Sequence, residues 1–313
     1  MNGPLAAVTG ATGFLGRRLV EDLGRRGWRV RALVRREPEV GLWGETAPQI
    51  VRGDLDDEAA LASLAQGADV VVHVAGLIKA RDRAAFLAVN ADGAGRVATA
   101  AKAAKARLLM ISSQAAREPQ LSDYAFSKAA GERAALAVGG DVVTILRPPA
   151  IYGPGDRETF VLFRLAARSS VLPLPGDPRA RLALAHVDDV CAVAALLAER
   201  SIPGTWTVAG ARPEGYAWRE IFETAGAVLG RRPSLLPIAP WLLRTAGAVS
   251  ERVGRVTGDP AIFTSGKARE LLHADWSVSP KEEAPGAPPA QFDLAAGFAH
   301  SVAWYRRVGW LTQ

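Results

Sequence analysis

The 313-residue chain is 49% hydrophobic, with 38 basic and 32 acidic side chains for a net charge of +6, enough for one large domain or two modest ones. One cysteine, Cys191, excludes an internal disulfide and the Cys-rich zinc patterns, and four scattered histidines show no metal-ligand spacing, so no metal is expected. The arginine pairs at 17–18, 25–26 and 35–36 read as solvated faces, and no apolar run reaches membrane-spanning length, so neither a nucleic-acid partner nor stable membrane insertion is expected.

The chain enters a strand at once, "LAAVT" (5–9), without the charged and apolar regions of a signal peptide, so a cytoplasmic enzyme is expected. A helix is predicted over 14–26, then strands at "WRVRALV" (28–34) and "QIVRG" (49–53), and a helix over 57–66. "DVVVHVA" (69–75), a helix over 84–104, "RLLMIS" (107–112), a helix over 124–138 and "VVTILR" (142–147) continue the alternation. Strands apolar on both faces that alternate with helices imply a parallel sheet covered on both sides, an α/β doubly wound (Rossmann) fold. Residues 1–150 therefore read as a dinucleotide-binding domain, with the option that later segments return to its sheet.

Beyond Arg147 the composition shifts to Pro and Gly in "RPPAIYGPGD" and "VLPLPGDPRARL". Helices are predicted over 158–168, 188–199, 217–229, 240–254 and 293–306, with a short strand at "TWTVAG"; residues 151–313 read as mainly a smaller C-terminal substrate lobe. Within it the apolar "LLPIAPWLLRTAGAV" (235–249), interrupted by Arg244, reads as a lid or subunit contact, with a membrane or lipid-like substrate as the other reading.

The loop "TGATGFLG" follows the first strand and opens the first helix, the context in which a glycine pattern carries meaning. Glycines tighten the turn and let backbone N–H groups approach a pyrophosphate at the helix N-terminus. Thr9, Gly10, Gly13, Phe14, Leu15 and Gly16 are the candidate cofactor contacts. After the second strand, where NAD-binding folds place an acid for the ribose hydroxyls, the chain offers Arg35 and Arg36. Guanidinium forks suit a 2′-phosphate, which favours NADP over NAD; the opposing reading leaves both arginines to solvent and gives the ribose to Glu37. Asp54, after the third strand, can accept from an adenine amino group, whereas Asp56 and Asp57 read as the start of the next helix.

Tyr124 and Lys128 stand at i, i+4 on a predicted helix and share one face. A phenol of pKa near 10 is a poor proton shuttle at neutral pH. An ammonium roughly 4 Å away contributes on the order of 4 kcal/mol at an effective dielectric near 20, worth up to ~3 pKa units. The preceding strand ends in Ser112 and Ser113, either of which could be a loop or cap serine; Ser113, further out, is the one chosen to bond a substrate oxygen. Ser113, Tyr124 and Lys128 are thus the candidate catalytic set.

These features resemble the extended branch of the short-chain dehydrogenase/reductase superfamily, the NAD(P)-dependent epimerases, dehydratases and reductases. The resemblance rests on "TGATGFLG", "GDL" (53–55), "HVAG" (73–76), "NADGAGRVATAA" (90–101), the Ser113/Tyr124/Lys128 set, "RPPAIYGPGD" and "HVDDV" (186–190). It implies that Tyr124 is the acid/base, that Lys128 lowers its pKa and holds the nicotinamide ribose, and that Ser113 orients the substrate. It adds Leu55, Ala75 and Gly76 as cofactor contacts and a homodimer paired through the 84–104 and 124–138 helices. His73 is read as either near the cofactor or a satisfied core imidazole, and Asn90 as either bracing the fourth strand through its amide or serving the helix entry. Asp188 and Asp189 are read as capping a helix and holding the lobes together; His186 is not assigned. One departure concerns the 11 residues from Ser113 to Tyr124, a shorter interval than sugar-nucleotide enzymes of this branch carry. The expected activity is NAD(P)-dependent hydride transfer between nicotinamide and a secondary alcohol or ketone of a small-molecule substrate. A nucleotide-sugar epimerase or dehydratase and a non-catalytic NAD(P)-binding scaffold are the alternatives.

Overall fold

A computed structural model describes residues 3–257 and 263–311. The first half alternates as expected: β1 (Leu5–Thr9), α1 (Phe14–Arg25), β2 (Arg29–Val34), β3 (Gln49–Arg52), α2 (Glu58–Ala65), β4 (Val70–His73), α3 (Arg83–Leu87), α4 (Gly93–Ala103), β5 (Arg107–Ile111), α5 (Asp123–Gly139) and β6 (Val143–Arg147). The second half contributes β7 (Ala150–Tyr152), α6 (Phe160–Arg168), β8 (Val171–Pro175), β9 (Arg181–Leu182), β10 (Leu184–His186), α7 (Val187–Glu199), β11 (Gly204–Thr207) and α8 (Trp218–Val228). It ends with β12 (Ser234–Ile238), α9 (Pro240–Thr257), α10 (Ser265–Leu272), β13 (Asp275–Trp276) and α11 (Leu294–Arg307).

Among the described residues, seven strands form one sheet in the order β11-β6-β5-β4-β1-β2-β3, and the pairs from β3 through β6 are parallel. The order reverses between β1 and β4, the switch point where open α/β sheets bind ligands. β1 and β4 are buried along their whole length, as central strands covered on both faces require. β11, from the second half of the chain, stands at the sheet edge beside β6.

The chain divides into two compact units. Unit 1 comprises Met1–Arg147, Cys191–Trp206 and Ala284–Ala287; its core joins Ala7, Val71, Leu108 and Ile145 of the strands to Leu61, Val97 and Ala135 of the helices. Unit 2 comprises Pro148–Val190, Thr207–Glu283 and Pro288–Gln313, around an aromatic core of Tyr152, Phe163, Tyr216, Phe298 and Tyr305.

The single helix expected over 84–104 is interrupted. α3 and α4 are joined by a π-type turn at Ala88–Asp92, a local widening that recurs near functional sites. β8 and β12, which pair in parallel, were not expected as strands. Among the described residues no helix is long and apolar enough to cross a membrane.

Candidate active site

β1 ends at Thr9, and the chain turns through Gly10 in the left-handed region at φ 71°. A Cβ on Gly10 would lie 2.6 Å from the Ala75 nitrogen, and one on Gly16 would lie 2.1 Å from the Gly10 oxygen. Only glycine permits that approach of the β1 exit to the β4 exit, with the first turn of α1 closed on top. Gly13 caps α1 with no side-chain hydrogen bond, and no acid stands in the first turn. The helix therefore presents uncapped N–H groups and the positive end of its dipole. Trp43, which the sequence reading passed over, is buried and donates from its indole to the Ala11 carbonyl at 3.2 Å, pinning the segment after β2 to this loop.

Arg35 and Arg36 follow β2 directly, and both are exposed. Glu37, the competing ribose ligand, is instead paired with Arg52. Asp54 is exposed, and its Oδ1 accepts from the Asp56 nitrogen at 2.9 Å. Leu55 lies under α4: a Cβ on Gly93 would come within 2.9 Å of it, and Arg96 donates to its carbonyl at 2.7 Å. Asp57 caps α2 through the Ala60 nitrogen, as expected, whereas Asp56 is drawn to Arg96.

At the β4 exit His73 is buried, its Nδ1 lying 2.8 Å from the Thr9 hydroxyl, which in turn accepts from the Ala75 nitrogen at 3.3 Å. Burial, aided by the positive charge of Lys128, pushes the imidazole down to about 3, so it is neutral throughout the physiological range. Asn90 in the π-type turn accepts from the Leu77 nitrogen at 2.7 Å and donates to the Leu77 carbonyl at 3.0 Å and to Ser127 Oγ at 2.9 Å. Ser127 in turn donates to the Tyr124 carbonyl at 2.8 Å. Asn90 thereby ties the segment after Gly76 to the first turns of α5.

The two serines after β5 diverge. Ser112 turns inward and donates to Glu132 at 2.5 Å; Glu132 also holds Arg147, whose Nε is at 2.8 Å. Ser113 is half-buried, and its Oγ accepts from the Ala115 nitrogen at 3.1 Å, capping a short 3-10 turn. Lys128 is buried and donates to the Ile111 carbonyl at 2.9 Å, two residues before Ser113. Its Nζ would be 3.7 Å from a Cβ on Gly76, so the β4 and β5 exits converge on this one ammonium. Burial lowers Lys128 to about 8, opposed by the charge of Glu132. Tyr124 occupies the first turn of α5, capped by Ser122, and is half-buried with its ring 6.2 Å from that of Phe86. The other three tyrosines, Tyr152, Tyr216 and Tyr305, all belong to unit 2, where burial raises each of them and makes them poor acids.

In unit 2, folding brings together groups that linear spacing keeps apart. His186, Asp188 and His300 have ligand atoms within 4.8 Å of one another. His186 already uses both ring nitrogens: Nδ1 accepts from the Asp188 nitrogen at 3.2 Å, and Nε2 lies 3.3 Å from His300 Nδ1. Its ring stacks on Phe292 at 3.9 Å. Asp188 and Asp189 stand in the first turn of α7, and Asp189 accepts from the Gln291 nitrogen at 2.8 Å.

The model of the NAD dependent epimerase/dehydratase family matches residues 6–209. The ceramide reductase of Caulobacter vibrioides is 48% identical over 307 residues, spanning 98% of this chain and 96% of that protein. The crystal structure of gox2253 superposes with a TM-score of 0.78 at 25% identity, covering 99% of this chain and all of that one. The UDP-glucose 4-epimerase of Thermus thermophilus, solved with NAD, shares the fold at a TM-score of 0.71 and 23% identity over 96% of this chain and 99% of its own. Family model, full-length relative and fold agree, and the chain belongs to the NAD dependent epimerase/dehydratase family of enzymes.

Proposed function

We propose that this enzyme is an NADP-dependent reductase of a ketone on a long-chain lipid of the ceramide class, with unit 1 binding the dinucleotide and unit 2 selecting the substrate. The observation that carries the chemistry is the buried Lys128 ammonium, held on the Ile111 carbonyl one helical turn from the half-buried Tyr124. The substrate class rests on the 48% identity to a ceramide reductase along nearly the whole chain.

The residues present fit a dinucleotide. The uncapped start of α1, with its glycine approach, suits a pyrophosphate on the amides of Gly13, Phe14, Leu15 and Gly16. Arg35 and Arg36 suit a 2′-phosphate, and the carboxylate that could serve a ribose hydroxyl is held by Arg52. Asp54 and Leu55 would flank the adenine, with Ala75, Gly76 and Lys128 toward the nicotinamide ribose. When bound, the nicotinamide supplies the hydride to the carbonyl carbon.

The chain's own residues handle the proton. Ser113 donates a hydrogen bond to the substrate oxygen, and Tyr124 gives that oxygen its proton as the alcohol forms. Lys128 favours the phenolate left behind, because an ammonium in a dry site stabilises the adjacent anion far more than one in water. His73 stays neutral and adds no competing positive charge.

Tyr124→Phe should lower the rate of NADPH oxidation by a keto-ceramide about 100-fold or more while NADP affinity is retained. Equal rates in the two proteins would defeat the acid/base assignment. Retained NAD with no net turnover would point to the epimerase reading instead. Pairing of two copies through α4 and α5 belongs to the same proposal, and the elution volume of the purified protein tests it.

A further inference from the structure

Helix α9 exposes a surface that the proposed reaction does not use. At 3.6 residues per turn, Trp241, Thr245, Val249 and Val253 fall on one line, with Leu242 and Ala246 beside it. All six are exposed, Trp241 by 64%, Val249 by 58% and Val253 by 56%. The hydroxyl of Thr245 is turned back onto the Trp241 carbonyl at 2.9 Å, so that polar group is satisfied within the helix. The opposite face of α9 is occupied: a Cβ on Gly247 would sit 2.9 Å from the Ser265 nitrogen, so α9 and α10 are in close contact there. β12, immediately before α9, adds the exposed Leu236.

Charge decides what could cover this face. From Arg231 to Thr257 the chain carries five arginines and one acid, Glu251. That acid is consumed internally, accepting from the Ser265 nitrogen at 2.8 Å and the Ser265 hydroxyl at 2.9 Å. Arg244 and Arg252 occupy the row of α9 next to the apolar line, both exposed, and Arg231 and Arg232 are exposed just before β12. An apolar strip with an aromatic anchor, bordered by arginines with no free acid, has the composition of a helix that lies in the headgroup region of a bilayer. A partner protein of ordinary mixed charge would not call for this one-sided arrangement. We propose that the α9 face docks unit 2 onto an anionic membrane surface, with Trp241 and Leu242 entering the acyl boundary and Arg244 and Arg252 meeting lipid phosphates. The inference goes beyond the proposed reaction, and its test requires no turnover.

The full-length protein is sedimented with vesicles of phosphatidylcholine containing roughly one-third phosphatidylglycerol, and with phosphatidylcholine vesicles alone. The expected result is binding to the anionic vesicles only, weakened by salt, and reduced about tenfold or more in Trp241→Ser/Leu242→Ser and in Arg244→Ser/Arg252→Ser. Since all four side chains are exposed, thermal melts and NADP binding of the variants should match the parent, which separates this result from misfolding. Failure to bind the anionic vesicles overturns the proposal, as does equal binding to both vesicle types or unaltered binding by the variants. A wild-type dimer that Trp241→Ser/Leu242→Ser converts to monomer overturns it too, making the face a contact between two copies. Loss of vesicle binding with keto-ceramide reduction intact, or the reverse, shows which of the two readings has failed.

Discussion

A strand-end histidine is ambiguous in the sequence because its partner is remote: Thr9 is 64 residues from His73, and only the pairing of β1 with β4 brings them together. Once buried there, His73 has a stability consequence. Its folded pKa of about 3 lies below the ordinary 6.5, so the unfolded chain takes the proton first as pH falls. Stability from this group is complete above 6.5 and is lost progressively from there to about 3. Between pH 6.5 and 4 that amounts to about 3 kcal/mol, at 1.36 kcal/mol per unit. His73→Gln should therefore be less stable than the parent at pH 7, through loss of packing, but should lose about 3 kcal/mol less across that window. Urea midpoints at the two pH values measure the difference, and parallel losses in the two proteins would mean that His73 is not held neutral in the folded state.

Helix α5 shows what is and is not legible one level up. Its ends fall within a residue of the expected 124–138, because Ser122 caps the start through the Ala125 nitrogen, the segment is rich in alanine, and Gly140 in the left-handed region ends it. Tyr124 and Lys128 share a face by the same arithmetic, yet the third member of that i, i+4 series, Glu132, is not marked by it. Its partners Ser112 and Arg147 lie on β5's exit and on β6, so nothing local shows it as paired. The strands β8 and β12 were illegible for a different reason: "VLPLP" and "SLLPI" each contain prolines, which remove ladder donors and weaken the strand signal. They survive because, among the described residues, their sheet has only two strands, so each keeps an edge without a ladder partner. The buried carboxylate on α5 carries its own prediction. Glu132→Ala strands the Arg147 guanidinium, which is 31% exposed and so partly relieved by water, and should cost about 2–3 kcal/mol, below the range for a fully buried pair. Arg147→Met added to it should restore part of that loss, and a double-mutant cycle on denaturant midpoints checks it. Strict additivity of the two single losses would show that Glu132 and Arg147 do not act as a pair.

At the scale of the whole chain, what the fold contributes is a fixed order of groups along the C-terminal edge of one sheet: a helix start without a side-chain cap after β1, arginines after β2, the exposed Asp54 after β3, a buried neutral imidazole at the end of β4, and the Ser113 hydroxyl and Lys128 ammonium after β5. The sequence order made most of this visible, since each group follows its own strand; the cofactor's 2′ position is where sequence and fold give the sharpest joint test. Arg35 and Arg36 are exposed, so on the proposed function their attraction for a 2′-phosphate would be screened by salt, whereas the amides at the start of α1 would serve both dinucleotides alike. Arg35→Ser/Arg36→Ser should therefore weaken NADP by roughly 10- to 100-fold, about 1.4–2.7 kcal/mol, and leave NAD within a factor of about two. The parent's NADP affinity should fall with ionic strength more steeply than its NAD affinity, and the double variant should lose that difference. Direct titration of nucleotide binding is the better readout than melting, because a chain of two compact units need not unfold in one step. A parent that binds NAD more tightly than NADP, with the double variant unchanged, would return the ribose to Glu37 and mean that its pairing with Arg52 gives way when the cofactor binds.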